Sequence, residues 1–365
     1  MKVALPIRKV LCMRLDNMGD VLMSTPAMRA LKETFNATIT LLTSEQGAAI
    51  APYIPVIDEV LIFNAPWVQH RGAEGSIAGL AECLKAGNFD LAVIFTVSSQ
   101  NPLPSAMLAY MAGIPVRLAY CRENPYRLLT HWMPDPEPLR CMDKHQVQRD
   151  LDLVFSIGAH TADRQLQLTA TAAPSLTGKL IEAGLDPAGG WCLLHAGTRD
   201  LRRQLPVPAW VTIGGALLRE LQLPVVLTGS AEDMPEVAEI QQQIGAGSYM
   251  FAGKLQLNEF IDLVNRSALL ISINSLPLHI AAAVQTPVIA LYAKTNPQHF
   301  PWMVPSCTLF FEVAEEQRSR NEILQFMHRH YLWKDMPVST GNIMAAAHEL
   351  LRSGKSRSAA ATTAL

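Results

Sequence analysis

An aspartate follows a glycine at the first junction between a predicted strand and a predicted helix. The segment from Arg14 to Pro26 reads RLDNMGDVLMSTP, in which Gly19 permits a tight turn and Asp20 lies where the next helix begins. An aspartate in this position is most often a helix N-cap. At the carboxyl edge of a parallel sheet, where α/β proteins bind ligands, Asp20 could instead act as a general base. The motif alone leaves both interpretations open.

A cluster of arginines follows the strand that is predicted to open the second half of the chain. The segment HAGTRDLRRQLP begins at His195 and contains Thr198, Arg199, Arg202 and Arg203. The planar guanidinium group matches the geometry of phosphate oxygens, so this cluster could hold a nucleotide diphosphate. A solvated, charged loop is the alternative interpretation.

A third junction offers backbone N–H groups to a ligand. The segment from Ile271 to Pro287 reads ISINSLPLHIAAAVQTP, in which an apolar run stops at a polar pair and a helix of small residues follows. The first N–H groups of a helix have no partner within the helix and therefore attract anions. For His279 alone, a buried core histidine is the commoner role. The residues expected to form this phosphate site are Asn274, Ser275, Leu276, Pro277 and His279.

Two further segments carry side chains that suit a nucleotide pocket. The segment PVVLTGSAED, from Pro224 to Asp233, is predicted to run from strand through turn to helix. Glu232 or Asp233 could accept hydrogen bonds from ribose hydroxyls, or could complement the dipole of the following helix. The loop NPQHFPW, at 296–302, could line a pocket or cover the core.

Apolar runs alternate with helical stretches along the chain, a pattern typical of βαβ units and parallel sheets. The predicted strands are 9–14, 38–42, 59–63, 91–95, 191–195, 224–227, 249–251, 269–273 and 288–292. The predicted helices include 21–34, 75–86, 208–221 and 258–265.

The alternation pauses at a polar stretch, 161–175, and then restarts. We therefore predict an α/β protein of two Rossmann-like domains, 1–165 and 176–350, whose parallel sheets face a central cleft. Residues 353–365 are small and polar and are expected to be disordered.

Composition and charge exclude several classes of protein. The 30 Lys and Arg residues and 32 Asp and Glu residues give a net charge of −2, which provides no basic field for nucleic acid. No apolar run reaches the roughly 18 residues that a membrane span needs, and the first residues lack a signal-peptide layout. The six cysteines are scattered, so we expect buried free thiols. We expect a cytoplasmic protein, with peripheral contact at the cytoplasmic face of the inner membrane left open.

Five segments, in their order and spacing, resemble the lipopolysaccharide heptosyltransferase family, which is family 9 of the glycosyltransferases. The resemblance covers roughly residues 9–305. The segments are RLDNMGDVLMSTP from Arg14, LHAGTRDLRRQLP from Leu194, VVLTGSAE from Val225, FAGKLQLNEFIDLV from Phe251 and INSLPLHIAAAVQTP from Ile273.

The resemblance implies a GT-B fold, with the acceptor on the first domain and a nucleotide sugar on the second. It implies inverting transfer, without metal or cofactor, from ADP-heptose or a related donor onto a lipopolysaccharide core or related surface glycan. Asp20 matches the proposed base of the family, and Arg203 takes the position of a family lysine. Glu232 matches the ribose-contacting glutamate. Arg203 and the N–H groups near Ser275–Leu278 would then stabilise the leaving diphosphate.

Two residues depart from the family pattern, which reads Asp-Ser/Thr-Gly before Pro-x-His. Asn274 removes a negative charge close to the sugar phosphate, and Leu276 places a side chain where backbone should approach phosphate. Another nucleotide sugar, a protein acceptor or a catalytically impaired homologue are therefore alternatives. A nucleotide-sugar epimerase on a similar scaffold is a further one.

The region between Arg117 and Arg149 has a modest excess of basic residues. Arg122 and Arg127 in this region would suit an anionic glycolipid acceptor, although a solvated surface explains them almost as well.

Overall fold

The chain forms two compact units. A computed structural model describes residues 6–68, 76–135, 140, 142, 144–197 and 203–362, with side chains described as far as residue 352. The first unit extends to Thr169 and includes Asn321–Arg329, and the second contains Ala170–Arg320 and the chain from His330 onward. The change of unit after Thr169 lies inside the polar stretch 161–175. The return of Asn321–Arg329 to the first unit has no counterpart in our domain prediction.

The first unit is built on one parallel sheet. Its strands are β1 (Lys9–Met13), β2 (Thr38–Thr43), β3 (Glu59–Ile62), β4 (Leu91–Ile94), β5 (Val116–Cys121) and β6 (His131–Pro134). They lie in the order β3-β2-β1-β4-β5-β6. The helices are α1 (Met18–Met23), α2 (Thr25–Phe35), α3 (Glu45–Ala48), α4 (Ile77–Ala86), α5 (Leu103–Met111) and α6 (Gln146–Phe155).

The second unit repeats this plan. Its strands are β7 (Cys192–His195), β8 (Val225–Thr228), β9 (Ser248–Met250), β10 (Leu269–Ile273), β11 (Val288–Ala293) and β12 (Ser306–Phe311), in the order β12-β11-β10-β7-β8-β9. Its helices before residue 320 are α7 (Pro174–Glu182), α8 (Val207–Leu221), α9 (Met234–Ile244), α10 (Leu257–Arg266) and α11 (Leu276–Val284). Two helices follow in the chain: α12 (Glu322–His330), which belongs to the first unit apart from His330, and α13 (Thr340–Thr362), which belongs to the second.

Both sheets share one strand order, although the sequence shows no repeat beyond its βα rhythm. Numbered from the first strand of each unit, the order is 3-2-1-4-5-6 in both. The chain reverses its direction of travel across the sheet between β1 and β4, and again between β7 and β10. In doubly wound folds, ligands bind at such switch points, outside the carboxyl ends of the strands.

One strand at each switch point, β4 in the first unit and β10 in the second, is buried along its whole length. Every residue of Leu91–Ile94 and of Leu269–Ile273 is buried, as expected for parallel strands covered by helices on each side. Trp191 and Trp210 are fully buried in the second unit. The apolar runs in the sequence therefore supply the two cores, and the polar residues that follow them form the sheet edges.

The secondary-structure predictions are largely confirmed. Every predicted strand is present, with its ends shifted by no more than one residue. Strands β5, β6 and β12 were missed, because Arg117 interrupts the apolar run of β5 and the other two are edge strands. The predicted helix 21–34 is two helices divided at Ser24, since the ring of Pro26 would clash with the turn before it in a continuous helix.

The remaining sequence predictions meet mixed outcomes. Helix α13 continues to Thr362 where the sequence predicts a disordered tail, and residues 363–365 lie outside the described residues. Cys12, Cys121 and Cys192 are free and buried as predicted, whereas Cys83 is exposed, on the outer face of its helix. Cys141 lies outside the described residues. No helix in the described part of the chain is long and apolar enough to cross a membrane.

Candidate active site

A fully buried arginine joins two carboxylates at the first switch point. Arg14 follows β1 directly, and its side chain has no exposed surface. Its Nη2 lies 2.9 Å from Asp20 Oδ1, and its Nε lies 3.3 Å from Asp16 Oδ2. A charge buried to this extent is stable in a protein only when it is paired. Arg14 therefore ties the turn after β1 to the start of α1.

Asp16 also connects this turn to the loop after β4. Gln100 Nε2 donates to Asp16 Oδ1 at 2.5 Å, which bridges the two central strands of the sheet at their carboxyl ends. Burial raises the pKa of Asp16 to about 6, and the charge of Asp20 adds to this, while Arg14 and Gln100 oppose it. Asp16 is therefore a carboxyl group whose charge changes near neutral pH.

The N-cap of α1 is Asn17, so Asp20 is not the N-cap that the sequence suggested; Asp20 supports that cap and also reaches the surface. It is the third residue of α1, and its Oδ2 accepts from the backbone N–H of Asn17 at 3.4 Å, which closes a capping box. Its side chain is 15% exposed, whereas that of Arg14 is fully enclosed. The carboxylate is therefore fixed in direction and open to a ligand, as a general base must be.

The far end of α1 is held by a second buried carboxylate. Ser24 Oγ donates to Asp150 Oδ2 at 2.7 Å, and Gln146 Nε2 donates to Asp150 Oδ1 at 2.8 Å. Burial raises the pKa of Asp150 to about 6, although Arg14, Ser24 and Gln146 lower it. Both ends of the short helix that carries Asp20 are thus tied to the body of the unit.

The basic residues between β5 and α6 divide into buried and exposed groups. Arg149 is buried and pairs with both carboxylate oxygens of Asp135, at 2.8 and 3.0 Å. Arg117 is also buried, within β5. Arg122 lies 3.5 Å from Asp135 and is more exposed, and Arg127 is exposed, with a left-handed φ of 69°. Arg122 and Arg127 therefore stay candidates for acceptor binding.

The second switch point brings two predicted donor-site residues together. Arg203 Nη1 donates to the backbone carbonyl of Asn274 at 2.8 Å, and Asn274 directly follows β10. Asn274 is 5% exposed, and its Nδ2 donates to Thr295 Oγ1 at 3.3 Å. Its Oδ1 is buried and has no hydrogen-bond partner among the residues that the structure describes. A buried acceptor without a partner is uncommon and suits a site that receives a donor from a ligand.

The start of α11 offers fewer N–H groups than the sequence suggested. Ser275 is the N-cap, with extended backbone, and Pro277 lacks an N–H. The N–H of Leu278 donates to the carbonyl of Ser275 at 3.1 Å, so Leu276 supplies the first helical N–H for a ligand. His279 is buried, and its ring centre lies 6.4 Å from that of His299. Fewer backbone N–H groups than predicted are therefore available to an anion at this helix start, and Arg203 is the cation that the described residues place beside it.

A close backbone approach shapes the turn after β7. A Cβ on Gly197 would collide with Asp233 Oδ2 and would lie 3.1 Å from the Cα of Gly229, so glycine is required there. Burial lowers the pKa of His195 to about 4, which keeps this ring neutral at physiological pH. Its Nδ1 lies 3.0 Å from Thr228 Oγ1, at the end of the neighbouring strand.

The structure separates the two acids after β8. Asp233 Oδ2 accepts from both the backbone N–H and the Oγ of Ser230, each at 2.7 Å, and so holds the turn together. Glu232 is exposed. Glu232 therefore stays the candidate for ribose contact, while Asp233 has a structural role.

Several predicted residues cannot be placed in this site. Thr198, Arg199 and Arg202 lie outside the described residues. Within the described ranges, no group of three or more His, Cys, Asp or Glu side chains is placed to hold a metal ion.

Arg14, Asp16, Gln100 and Asp150 were missed as functional candidates. The charged pair of Arg14 and Asp16 directly after a buried strand was a usable signal in the sequence. Gln100 and Asp150 are 84 and 126 residues from the partners that they bind, so their roles have no local signature.

The comparisons with known proteins agree on one family. The model of glycosyltransferase family 9 (heptosyltransferase) matches residues 77–328. Lipooligosaccharide heptosyltransferase 2 of Haemophilus influenzae is 37% identical over 311 residues, which cover 80% of this chain and 85% of that protein.

Solved structures share the architecture of the whole chain. A family 9 glycosyl transferase from Veillonella parvula has a TM-score of 0.75 at 19% identity and covers 96% of this chain and 99% of its own. The E. coli ADP-heptose lps heptosyltransferase II has a TM-score of 0.70 at 20% identity, with coverage of 95% and 99%. The GT-B class implied by the sequence resemblance is confirmed by these matches.

Proposed function

Since this chain belongs to glycosyltransferase family 9, we propose that it transfers heptose from ADP-heptose to a lipopolysaccharide core sugar. The chain is a glycosyltransferase, and the proposal concerns its donor and its acceptor. The observation that carries the donor assignment is the contact between Arg203 and Asn274 at the second switch point. The names of the matched proteins, which act with ADP-heptose or on lipooligosaccharide, support the choice of substrates.

The donor is proposed to bind at the carboxyl edge of the second sheet. The diphosphate would contact Arg203 and the N–H of Leu276, where a guanidinium and a helix terminus together attract negative charge. The ribose would contact Glu232, and the buried Oδ1 of Asn274 would accept from a donor hydroxyl. Thr198 and Arg199 are proposed to complete this site from the adjoining segment.

Asp20 is proposed to act as the base. It takes the proton of an acceptor hydroxyl while that oxygen bonds to the anomeric carbon, on the face opposite the diphosphate. The bond between the anomeric carbon and the phosphate oxygen breaks, and its electron pair leaves with ADP. The products are the glycoside with inverted configuration, ADP and protonated Asp20. Arg203 stabilises the charge that develops on the departing phosphate, so no metal is required.

Nucleotide binding tests the donor assignment. We expect isothermal titration of the full chain to show binding of ADP, with UDP, GDP and dTDP at least about tenfold weaker, because a site that hydrogen-bonds adenine leaves polar groups unpaired with the other bases. Equal affinities for all four would contradict an ADP-selective donor site. Binding of none of them would contradict the proposal that the donor is a nucleotide sugar.

Turnover tests the reaction. With ADP-heptose and a truncated lipooligosaccharide acceptor, mass spectrometry should show the addition of one heptose, at the same rate with and without EDTA. The anomeric configuration of the product, read by NMR, should be inverted relative to the donor. Loss of activity in EDTA would contradict metal independence, and retention of configuration would contradict direct displacement.

A different nucleotide sugar is the second candidate donor. Asn274 and Leu276 stand where the family reads Asp and Gly, and the unpartnered Oδ1 of Asn274 is neutral. A neutral hydrogen-bond acceptor such as Asn274 Oδ1 would tolerate a sugar that an aspartate at this position disfavours. If UDP or GDP binds more tightly than ADP, this candidate replaces heptose.

Peripheral contact with the inner membrane is a further part of the proposal. Met107, Tyr110 and Met111 project from one face of α5 and are 46, 54 and 48% exposed. The segment LPSAMLAYMAGIP, at 103–115, has no charged residue, which is unusual for a surface helix and suits an interfacial position.

Flotation with anionic vesicles tests this contact. The wild-type protein is expected to float with vesicles, and a Met107→Glu, Met111→Glu double variant to remain in solution. Phe155→Glu, at an exposed position on α6, is the matched control and should float like the wild type. Equal flotation of the double variant and the control would contradict a role for α5.

A further inference from the structure

The base has charged neighbours that the proposed reaction does not use. Arg14 is fully buried and contacts Asp16 and Asp20 through different nitrogens of one guanidinium group, at 3.3 and 2.9 Å. A bidentate pair with one carboxylate would have bound that carboxylate more tightly. The structure instead divides one cation between two anions, and only Asp20 lies on the helix that faces the sheet edge.

This arrangement affects how well Asp20 can accept a proton. An arginine at 2.9 Å stabilises the Asp20 anion and so weakens it as a base. The charges of Asp16 and Asp20 repel each other, and this repulsion works in the opposite direction. The charge state of Asp16 therefore decides how strongly Arg14 stabilises the Asp20 anion.

Building on the proposed base, we propose that Arg14 and Asp16 are positioning residues for Asp20. Arg14 fixes the direction of the Asp20 carboxylate. Ionised Asp16 offsets the attraction of Arg14 and keeps Asp20 basic enough to take a proton from the acceptor. Neither residue touches the substrate.

The groups that face Asp16 come from several elements. Arg14 approaches from the end of β1, Asp20 from α1 and Gln100 from the loop after β4. Ser44 Oγ donates to the backbone carbonyl of Asp16 at 2.5 Å, which fixes the turn. The charge of Asp150 on α6 also acts on Arg14. Burial and the charge of Asp20 raise the pKa of Asp16 to about 6, against the opposing effects of Arg14 and Gln100, and this value lies inside the range of an activity assay.

The proposal predicts that kcat is lower at acidic pH than at neutral pH. Below pH 6, Asp16 is neutral, Arg14 acts on Asp20 without opposition, and transfer slows. As the pH rises through about 6, Asp16 ionises and kcat rises to a plateau. The acidic limb of the profile therefore reports the ionisation of Asp16.

Asp16→Asn tests the proposal. The variant should resemble the wild type at low pH, with kcat at pH 7.5 lowered about three- to tenfold and the limb near pH 6 absent. Asp163→Asn is the matched control in the same unit, because its side chain is 57% exposed and pairs with Arg29. The control should keep the wild-type profile. An unchanged limb in a folded Asp16→Asn enzyme would overturn the proposal.

Gln100→Met provides a second test in case Asp16→Asn does not fold. The hydrogen bond from Gln100 lowers the pKa of Asp16, so its removal should move the acidic limb to higher pH. A limb that stays in place overturns the proposal.

Asp20→Asn, assayed in parallel, separates the role of Asp16 from the role of Asp20 as the base. If Asp20→Asn is inactive while both other profiles match the wild type, only the role of Asp16 fails. If Asp20→Asn keeps full turnover, the proposed base and this inference fail together.

Discussion

Asp20→Asn is expected to lower kcat for sugar transfer by about 10²–10⁴-fold, the range found when a general base is removed. The amide has nearly the shape of the carboxylate but cannot accept the acceptor proton at neutral pH. The affinity for ADP should stay within about twofold of wild type, since the proposed donor contacts all lie in the second unit. Steady-state kinetics and ADP titration on the same preparation measure both quantities.

The control for Asp20→Asn must separate a loss of catalysis from a loss of folded protein. Asp20 closes a capping box and pairs with Arg14, so asparagine at this position also costs stability. A thermal unfolding curve shows whether the loss of rate exceeds the loss of folded protein. Asp152→Asn, which removes a partly exposed partner of Lys144 in the same unit, should keep wild-type kcat. Wild-type turnover by folded Asp20→Asn protein would show that another group is the base.

The sequence predicts well which residues lie at the edges of the two sheets, where this is a property of one junction. Asp20, Arg203 and Asn274 were chosen because each follows a predicted strand, and the two switch points lie at those strand ends. The contact between Arg203 and Asn274 joins residues 71 positions apart. It follows from the strand order, in which β7 and β10 are neighbours, and this order was not predicted.

Other parts of the site have no signature in a single sequence. Asp150 binds Ser24 only because α6 packs against α2, which Ser24 precedes, and Gln100 binds Asp16 only because β4 lies beside β1. Arg117 looked like part of a basic surface, although its side chain is buried and donates to several backbone carbonyls. A charge count along the chain cannot separate a buried cation from a solvated one. The burial that decides between them is a property of the folded unit.

The two junctions carry opposite charges although the two sheets share one strand order. The first switch point gathers Asp16, Asp20 and Asp150 around one arginine, which suits the uptake of a proton. The second presents Arg203 beside a helix start and a neutral amide, which suits a diphosphate. The same topology therefore provides two edges, and the residues after β1 and β7 determine which substrate each edge would bind.

Arg203→Met is expected to lower kcat by about 10²–10³-fold, the effect of removing one preorganised donor to a developing charge. The KM for ADP-heptose should rise less, by about tenfold, because the diphosphate carries less charge in the bound donor than on departure. A larger effect on kcat than on binding identifies a contact that strengthens in the transition state. Arg203→Lys should recover part of kcat, since a lysine keeps the charge and loses the planar fork.

The matched control for Arg203 is Arg219→Met, at an exposed position on α8. It removes the same charge from the same unit and should leave kcat and ADP affinity unchanged. Arg203 also donates to the carbonyl of Asn274, so its loss could shift the β10–α11 junction without any effect on charge. The lysine variant separates the two explanations, because a junction held only by the arginine geometry would not be rescued by it. Equal losses of kcat in Arg203→Met and Arg203→Lys would thus show that Arg203 has a structural role. The N–H of Leu276 would then be the group that stabilises the departing phosphate.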